Sequence, residues 1–312
     1  MQQWSIGVQR GLGRDWLVDV GYQGSGSTHL QSWGVPTQGQ LMPNGTVFYH
    51  YPNFSFILLS ANAGRSNYNA LTARIEKRFS HGYNFQAHYT WSKGMDLASA
   101  ECGVGTDACF GQQNYWDRNA DYGPESFDVT HRLVVSGTYE LPFGRGKQFG
   151  SQMAPALDKV LGGWQLNGIF QIQSGFPFTI AANDASGTGS LLQLSRADLV
   201  GNPHARDPVD PSRVFNRYAF AQPAAGTFGD SRRNILRGAG LNNFDMSIFK
   251  NEHLTERLVM QIRAELFNAF NHTQLGPFPG SAFSLDPSSS FGIYTSTQHD
   301  ARIIQLGLKL VF

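Results

Sequence analysis

The sequence predicts an all-β fold, an antiparallel transmembrane β-barrel, on three observations. The chain ends on a bare apolar strand. Its composition is poor in charge and rich in aromatics and glycine. Its tight turns alternate strictly with long polar connections.

The final strand alternates as strand side chains must. Ile304, Leu306, Leu308, Leu310 and Phe312 share one face, and Ile303, Gln305, Gly307, Lys309 and Val311 share the other. An apolar edge strand in water invites edge-to-edge pairing. In a closed barrel the edge is paired and lipid covers the apolar face. The composition agrees. Of 312 residues, 15% are charged, 13% are aromatic and 35 are glycine, and the formal charge is +1. A typical soluble domain carries about 25% charge. The near-neutral balance gives no reason to expect a nucleic-acid partner. No run approaches the roughly 18 apolar residues of a membrane helix.

The other strands follow in order. Trp4, Ile6 and Val8 alternate with Ser5, Gly7 and Gln9, and the turn 11–15 returns the chain to Trp16, Val18, Val20 and Tyr22. A polar Gly/Ser/Pro-marked segment runs from Gly24 to about Asn67. In the second hairpin Leu71, Ala73, Ile75 and Phe79 oppose Thr72, Arg74, Glu76 and Arg78. After Ser80-His81-Gly82, Tyr83, Phe85, Ala87, Tyr89 and Trp91 oppose Asn84, Gln86, His88, Thr90 and Ser92. One face is apolar with aromatics at both ends and the other is polar, as a lipid-facing wall around a wet lumen requires.

Lys93 to about Thr130 is again polar. The third hairpin places Leu133, Val135, Tyr139 and Leu141 against Arg132, Ser136, Thr138 and Glu140. Its connection runs from Pro142 to Gly163, with a short helix expected near Ala154 to Leu161. Trp164, Leu166, Phe170 and Ile172 then oppose Gln165, Asn167, Gln171 and Gln173. The longest polar segment spans Phe176 to Leu241. A fourth hairpin pairs Asn243–Lys250 with Leu258–Phe267, and one more loop, 268–301, leads to the last strand.

Every short turn falls on one side and every long loop on the other, the asymmetry of outer-membrane barrels, with short periplasmic turns and long extracellular loops. The count is nine strands, so the first and last run the same way and cannot close antiparallel on each other. With no signal-peptide pattern ahead of Trp4, the expectation is a C-terminal barrel portion, residues 1–312, without its plug or N-terminal region.

Several segments resemble TonB-dependent outer-membrane receptors, in particular the Oar-like group. They include Asn67-Tyr68-Asn69-Ala70-Leu71, Arg74-Ile75-Glu76-Lys77-Arg78-Phe79, Tyr89-Thr90-Trp91-Ser92-Lys93 and Phe127-Asp128-Val129-Thr130-His131-Arg132. Others are Glu140-Leu141-Pro142-Phe143-Gly144-Arg145-Gly146, Gly163-Trp164-Gln165-Leu166-Asn167-Gly168, Gly240-Leu241-Asn242-Asn243-Phe244-Asp245 and Arg263-Ala264-Glu265-Leu266-Phe267-Asn268-Ala269-Phe270-Asn271-His272. The resemblance implies a barrel of about twenty-two strands with a plug, uptake of an unidentified extracellular ligand, and contact with the TonB system through the absent N-terminal region. Gln305, Gly307, Leu310 and Phe312 resemble the terminal signal that hands such barrels to their assembly machinery.

Other chemistry is sparse. Cys102 and Cys109 are spaced either to close a small disulfide loop in an oxidising compartment or to remain free thiols. Arg74, Glu76, Arg78, Arg263 and Glu265 point inward, as a paired lumen wall or a solute path. Asp128 and His131, with Ser126 and Ser136 nearby, offer a rim hydrolase as one alternative to transport. A loop-anchoring cluster is the simpler reading. Asn183-Asp184-Ala185-Ser186-Gly187 lacks the acidic density of a calcium loop and reads as a polar turn. No cofactor, metal site or catalytic residue is expected. The remaining alternatives are a passive porin-like or adhesive barrel and a secreted soluble β domain.

Overall fold

The computed structural model describes residues 1–99, 112–189, 195–255, 257–276, 284–285 and 289–312. Cys102 and Cys109 lie outside the described residues. Among the described residues nine long strands form one meander: β1 (Gln2–Leu12), β2 (Trp16–Gly34), β3 (Leu59–Ser80), β4 (Tyr83–Asp96), β5 (His131–Glu140), β6 (Trp164–Gln173), β7 (Leu241–His253), β8 (Val259–Phe267) and β9 (Ile303–Val311). Each pairs antiparallel with its sequence neighbour. The sheet is open, with β1 and β9 as its edges.

The register carries the alternation from strand to strand. Val20 faces Val8 and Ala73, Tyr89 faces Leu133, and Leu306 faces Ala264. Cross-strand partners share a face, so the alternating apolar residues form one continuous surface across the strands, while a few such as Leu17, Val134, Ile169 and Phe249 stand on the polar face. Among the described residues no second layer covers it: Leu306 is 78% exposed and Trp91 53%. Its height is right for a membrane. Tyr83 and Trp91 are eight residues apart, about 27 Å along the strand at about 3.4 Å each. A tilt near 40° lowers that to roughly 20 Å, comparable to the apolar band of about 25 Å between the aromatic girdles of outer-membrane barrels.

The turn ends are tight. Ser80 pairs with Tyr83 across His81 and Gly82, whose φ values are 54° and 83°. Two positive φ values define the turn whose twist suits a hairpin, and glycine takes the second at no steric cost. The helix expected in the third hairpin is α1, Pro155–Leu161.

Three sequence expectations need correction. Phe79 does not continue the face of Leu71, Ala73 and Ile75. The register slips between Lys77 and Ser80, which moves Phe79 to the rim of a cavity shared with Glu76, Asn84 and Gln86. The residue on the apolar face is instead Lys77, buried beside Trp16 and Phe85. Its ammonium snorkels to the carbonyls of Arg78 and Ser80, each at 3.2 Å, and to Ser80 Oγ at 2.7 Å. Second, the segment from Gly24 is not loop throughout. β2 and β3 continue to Gly34 and Leu59, interrupted by register shifts near Leu30. Apolar alternation stops there because both faces of this ribbon stand above the lipid. Third, 176–241 is no simple polar loop, because it builds a folded core.

Candidate functional site: a capped mouth

All four long connections, 35–58, 97–130, 174–240 and 268–302, emerge at the end opposite the tight turns. Among the described residues, a buried apolar cluster lies in two of them. Phe178, Ile180, Phe215, Phe220 and Leu236 of 174–240 pack with Leu285 and Phe291 of 268–302, and Ile180, Leu236 and Phe291 are fully buried. Two-residue ladders fold 174–240 back on itself, pairing 177–178 with 236–237, 181–182 with 195–196, and 198–199 with 220–221. Water surrounds these connections, so they need an interior of their own, unlike the strands that lipid covers.

Polar groups stitch the cap together. The buried Gln38 amide donates to the Gln113 carbonyl and to Thr188 Oγ1, both at 3.0 Å, and accepts from the Tyr115 amide at 2.8 Å. Gln113 in turn accepts from the Arg196 amide at 2.6 Å and donates to the Gly229 carbonyl at 3.0 Å. One glutamine pair thus joins three connections.

Three Arg–Asp pairs tie 174–240 to 97–130 and to the end of β4. Arg196 bonds Asp121, Arg233 bonds Asp96, and Arg237 bonds Asp128. Each arginine comes from 174–240. Asp121 and Asp128 lie in 97–130, and Asp96 ends β4. Arg233 Nη2 also donates to the carbonyls of Asp96, Gly123 and Pro124 at 2.9, 3.3 and 3.2 Å. Buried charges persist only when paired and hydrogen-bonded in this way.

Glu125 sits beside this clasp. Burial, and then the nearby carboxylates of Asp96 and Asp128, push its carboxyl up to about 7 against the pull of Arg233. Beneath the clasp, a cavity of about 370 Å3 opens to the lumen face of the strands, lined by Gln23, Tyr68, Thr90, Glu125, Asp128 and Arg132. A polar solute at the mouth would meet hydroxyls, an amide, an acid and a guanidinium.

The structure separates the residues that the sequence pattern brings to notice. Asp128 Oδ1 accepts from the Gly94 amide at 2.7 Å while Oδ2 takes Arg237. His131 Nδ1 instead meets Tyr89 Oη at 2.8 Å, on the apolar face. The His–Asp pair of a hydrolase is therefore not brought together, and Asp128 anchors loops. Asp184 Oδ1 accepts from the Ser186 amide and hydroxyl, closing a polar turn. On the polar face of the sheet Arg74 pairs with Glu76. Arg263 lies over the Phe249 ring at 4.9 Å, and Glu265 stands opposite Ser247 and Gln305. Arg78 borders a second lumen-side cavity of about 580 Å3 with Glu76 and Asn84. Gln305 and Gly307 share the polar face with Glu265 and Arg263, while Leu310 lies opposite Met260 on the apolar face and Phe312 is 93% exposed.

The clasp residues Asp96, Asp121, Arg196, Arg233 and Arg237, and the Gln38–Gln113 hub, carry no mark in the sequence. Their partners lie far apart along the chain, and no local spacing signals them. The apolar residues Phe176, Phe178 and Ile180, and the pair Tyr218 and Phe220, inside a polar stretch are the available signal.

The family model for the outer membrane beta barrel domain matches residues 1–305. Among solved structures, the chain is similar to the outer membrane transporter YddB from Escherichia coli, at 9% identity and a TM-score of 0.48, covering 99% of this chain and 32% of that one. It is also similar to P. aeruginosa FpvA solved with heterologous pyoverdines, at 11% identity and a TM-score of 0.43, covering 99% of this chain and 26% of that one. The chain spans about a third or less of the length of these structures. No curated protein matches it.

Proposed function

The chain belongs to the outer membrane beta barrel domain family, and from that premise we propose that it is the ligand-facing C-terminal portion of a TonB-dependent-type receptor. Its strands lie in the outer membrane. In this reading the capped mouth receives an extracellular ligand, and the polar lumen face carries it inward. Contact with the TonB system belongs to a region outside these residues.

The observation that carries the reading is the cap. A passive pore needs an open mouth. Here ion pairs lock 174–240 to 97–130 and to the end of β4, and the Gln38–Gln113 pair ties in 35–58, over a polar lumen face, which suits selection before passage. The open edges of the sheet support this reading: unpaired backbone groups in hydrocarbon cost several kcal/mol each, and pairing of β1 and β9 with other strands of a larger barrel would satisfy them. Arg74, Glu76, Arg78, Arg263 and Glu265 form the lumen wall in this proposal. Gln305, Gly307, Leu310 and Phe312 present the chain to the barrel-assembly machinery. No catalytic role is assigned.

The test compares depletion of extracellular solutes by wild-type cells and cells lacking the gene, with and without a protonophore. A receptor of this type predicts a solute whose depletion needs both the gene and the proton-motive force. Gene-dependent depletion that survives the protonophore would instead favour the porin-like reading. No gene-dependent depletion at all would favour an adhesive barrel.

A further inference from the structure

The connection 141–163 differs from the other turns at its end of the barrel. It is long, and five large apolar side chains on it stand exposed: Phe143, Phe149, Leu157, Val160 and Leu161. Phe149 is 50% exposed and Val160 61%. Leu157, Val160 and Leu161 occupy positions i, i+3 and i+4 of α1 and so share one face. At about 100° per residue, Lys159 lies on roughly the opposite face. Phe143 and Phe149 add a ring pair with centroids 5.6 Å apart.

Two contacts fix the level of this patch. Trp164 belongs to the apolar face of the sheet, and its Nε1 donates to the Val160 carbonyl at 2.8 Å. Lys250 Nζ, on the same face, donates to the Gly162 carbonyl at 2.6 Å. The end of α1 is therefore bolted to the aromatic row where the lipid-covered surface meets water. The charge of the segment fits the same boundary. It carries Arg145, Lys147 and Lys159 against the single acid Asp158. Asp158 Oδ1 is engaged by the Arg145 amide at 2.7 Å, and Lys147 pairs with Glu140 at 2.9 Å.

We propose that residues 141–163 lie in the periplasmic phospholipid leaflet as an in-plane anchor. Leu157, Val160, Leu161 and the Phe143–Phe149 pair enter the headgroup–acyl boundary, and Lys159 and Arg145 meet lipid phosphates. Lipid is the occupant because the patch continues a surface that lipid already covers. Its apolar stripe with a basic opposite face is also the pattern of helices that lie in a membrane interface.

The experiment places nitroxide labels singly at 157, 160 and 159, in the Cys102→Ser/Cys109→Ser background, on the protein in phosphatidylethanolamine/phosphatidylglycerol vesicles. Accessibility to oxygen is compared with accessibility to an aqueous nickel chelate. Labels at 157 and 160 are expected to favour oxygen and the label at 159 to favour nickel. Equal nickel access at all three would overturn the proposal, as would shielding of 157 and 160 from both reagents. A photo-crosslinking amino acid at 160 asks the same question in living cells without reconstitution. Phospholipid adducts support the anchor, and adducts to a periplasmic protein, or none, overturn it.

Discussion

Asp96→Asn tests whether the cap is held by its buried charge. The substitution keeps the shape of the side chain and removes the charge of the carboxylate that Arg233 bonds. With side chains 3% and 8% exposed for Arg233 and Asp96, water cannot replace the lost partner. Removing one member of a buried pair costs about 3–5 kcal/mol. The carbonyls of Asp96, Gly123 and Pro124 still accept from Arg233, so the lower figure applies, about 3 kcal/mol. At about 1.36 kcal/mol per decade, opening of the cap becomes roughly a hundredfold more populated. Hydrogen exchange in native outer-membrane preparations reads this directly. Amides inside the cap, such as Ala197, bonded to the Ile180 carbonyl at 3.1 Å, should exchange about a hundredfold faster. Amides of β5 and β7 should not change. The double variant Asp96→Leu/Arg233→Met, which removes both charges, should recover most of the loss. Unaltered exchange in the cap, or equal acceleration in cap and strands, would refute the reasoning.

Three further outcomes are expected. Leu308→Arg on the lipid face should destabilise the folded barrel by about 2–4 kcal/mol, whereas Gln305→Arg on the lumen face should cost under about 1 kcal/mol; denaturant titration of the inserted protein separates them. Glu125→Gln should act through pH. A carboxyl raised from 4.5 to about 7 binds more protons folded than unfolded between those values, so its contribution is favourable below 4.5 and is lost as pH rises through 7. The full shift is worth about 3 kcal/mol, and partial solvent screening reduces it to roughly 1–2 kcal/mol. The Glu125→Gln variant should therefore have a cap more stable by that amount at pH 8 and unchanged at pH 4, measured by protease cleavage rate within 174–240. Gly163→Ala should lower folding yield sharply. Gly163 has φ 74°, and a Cβ there would overlap the Asn251 carbonyl oxygen; heat-modifiable mobility in gels reports the folded fraction.

The strands are legible in the sequence because lipid and lumen impose opposite demands on consecutive residues. Tyr83 to Ser92 states both demands within ten positions, and the register of β4 obeys them. Simple alternation misplaces Phe79 because a bulge changes parity, and nothing in Lys77-Arg78-Phe79-Ser80 marks the slip. The cap is hidden for a different reason. Gln38 and Thr188 are 150 residues apart, and Arg233 and Asp96 are 137 apart. Such pairs have no period. Phe215 and Leu236 likewise sit among polar neighbours and become a core only once the ladders bring them together.

That difference follows from the two solvents the chain meets. Up to the outer aromatic row, hydrocarbon covers one face and the backbone ladder satisfies the strands between the two edges, so a simple alternating code suffices. Above it, water reaches both sides, and alternation of apolar residues would only create exposed patches. β2 and β3 therefore change chemistry at Gly24 and Asn69 without ending, and rise as a polar ribbon to Gly34 and Leu59. That ribbon meets the cap where Gln38 binds Gln113 and Thr188. Substitutions should sort by solvent. Below the row, charge on the lipid face should cost most. Above it, loss of a single partner from Arg196, Arg233 or Gln38 should loosen the mouth and leave the barrel standing.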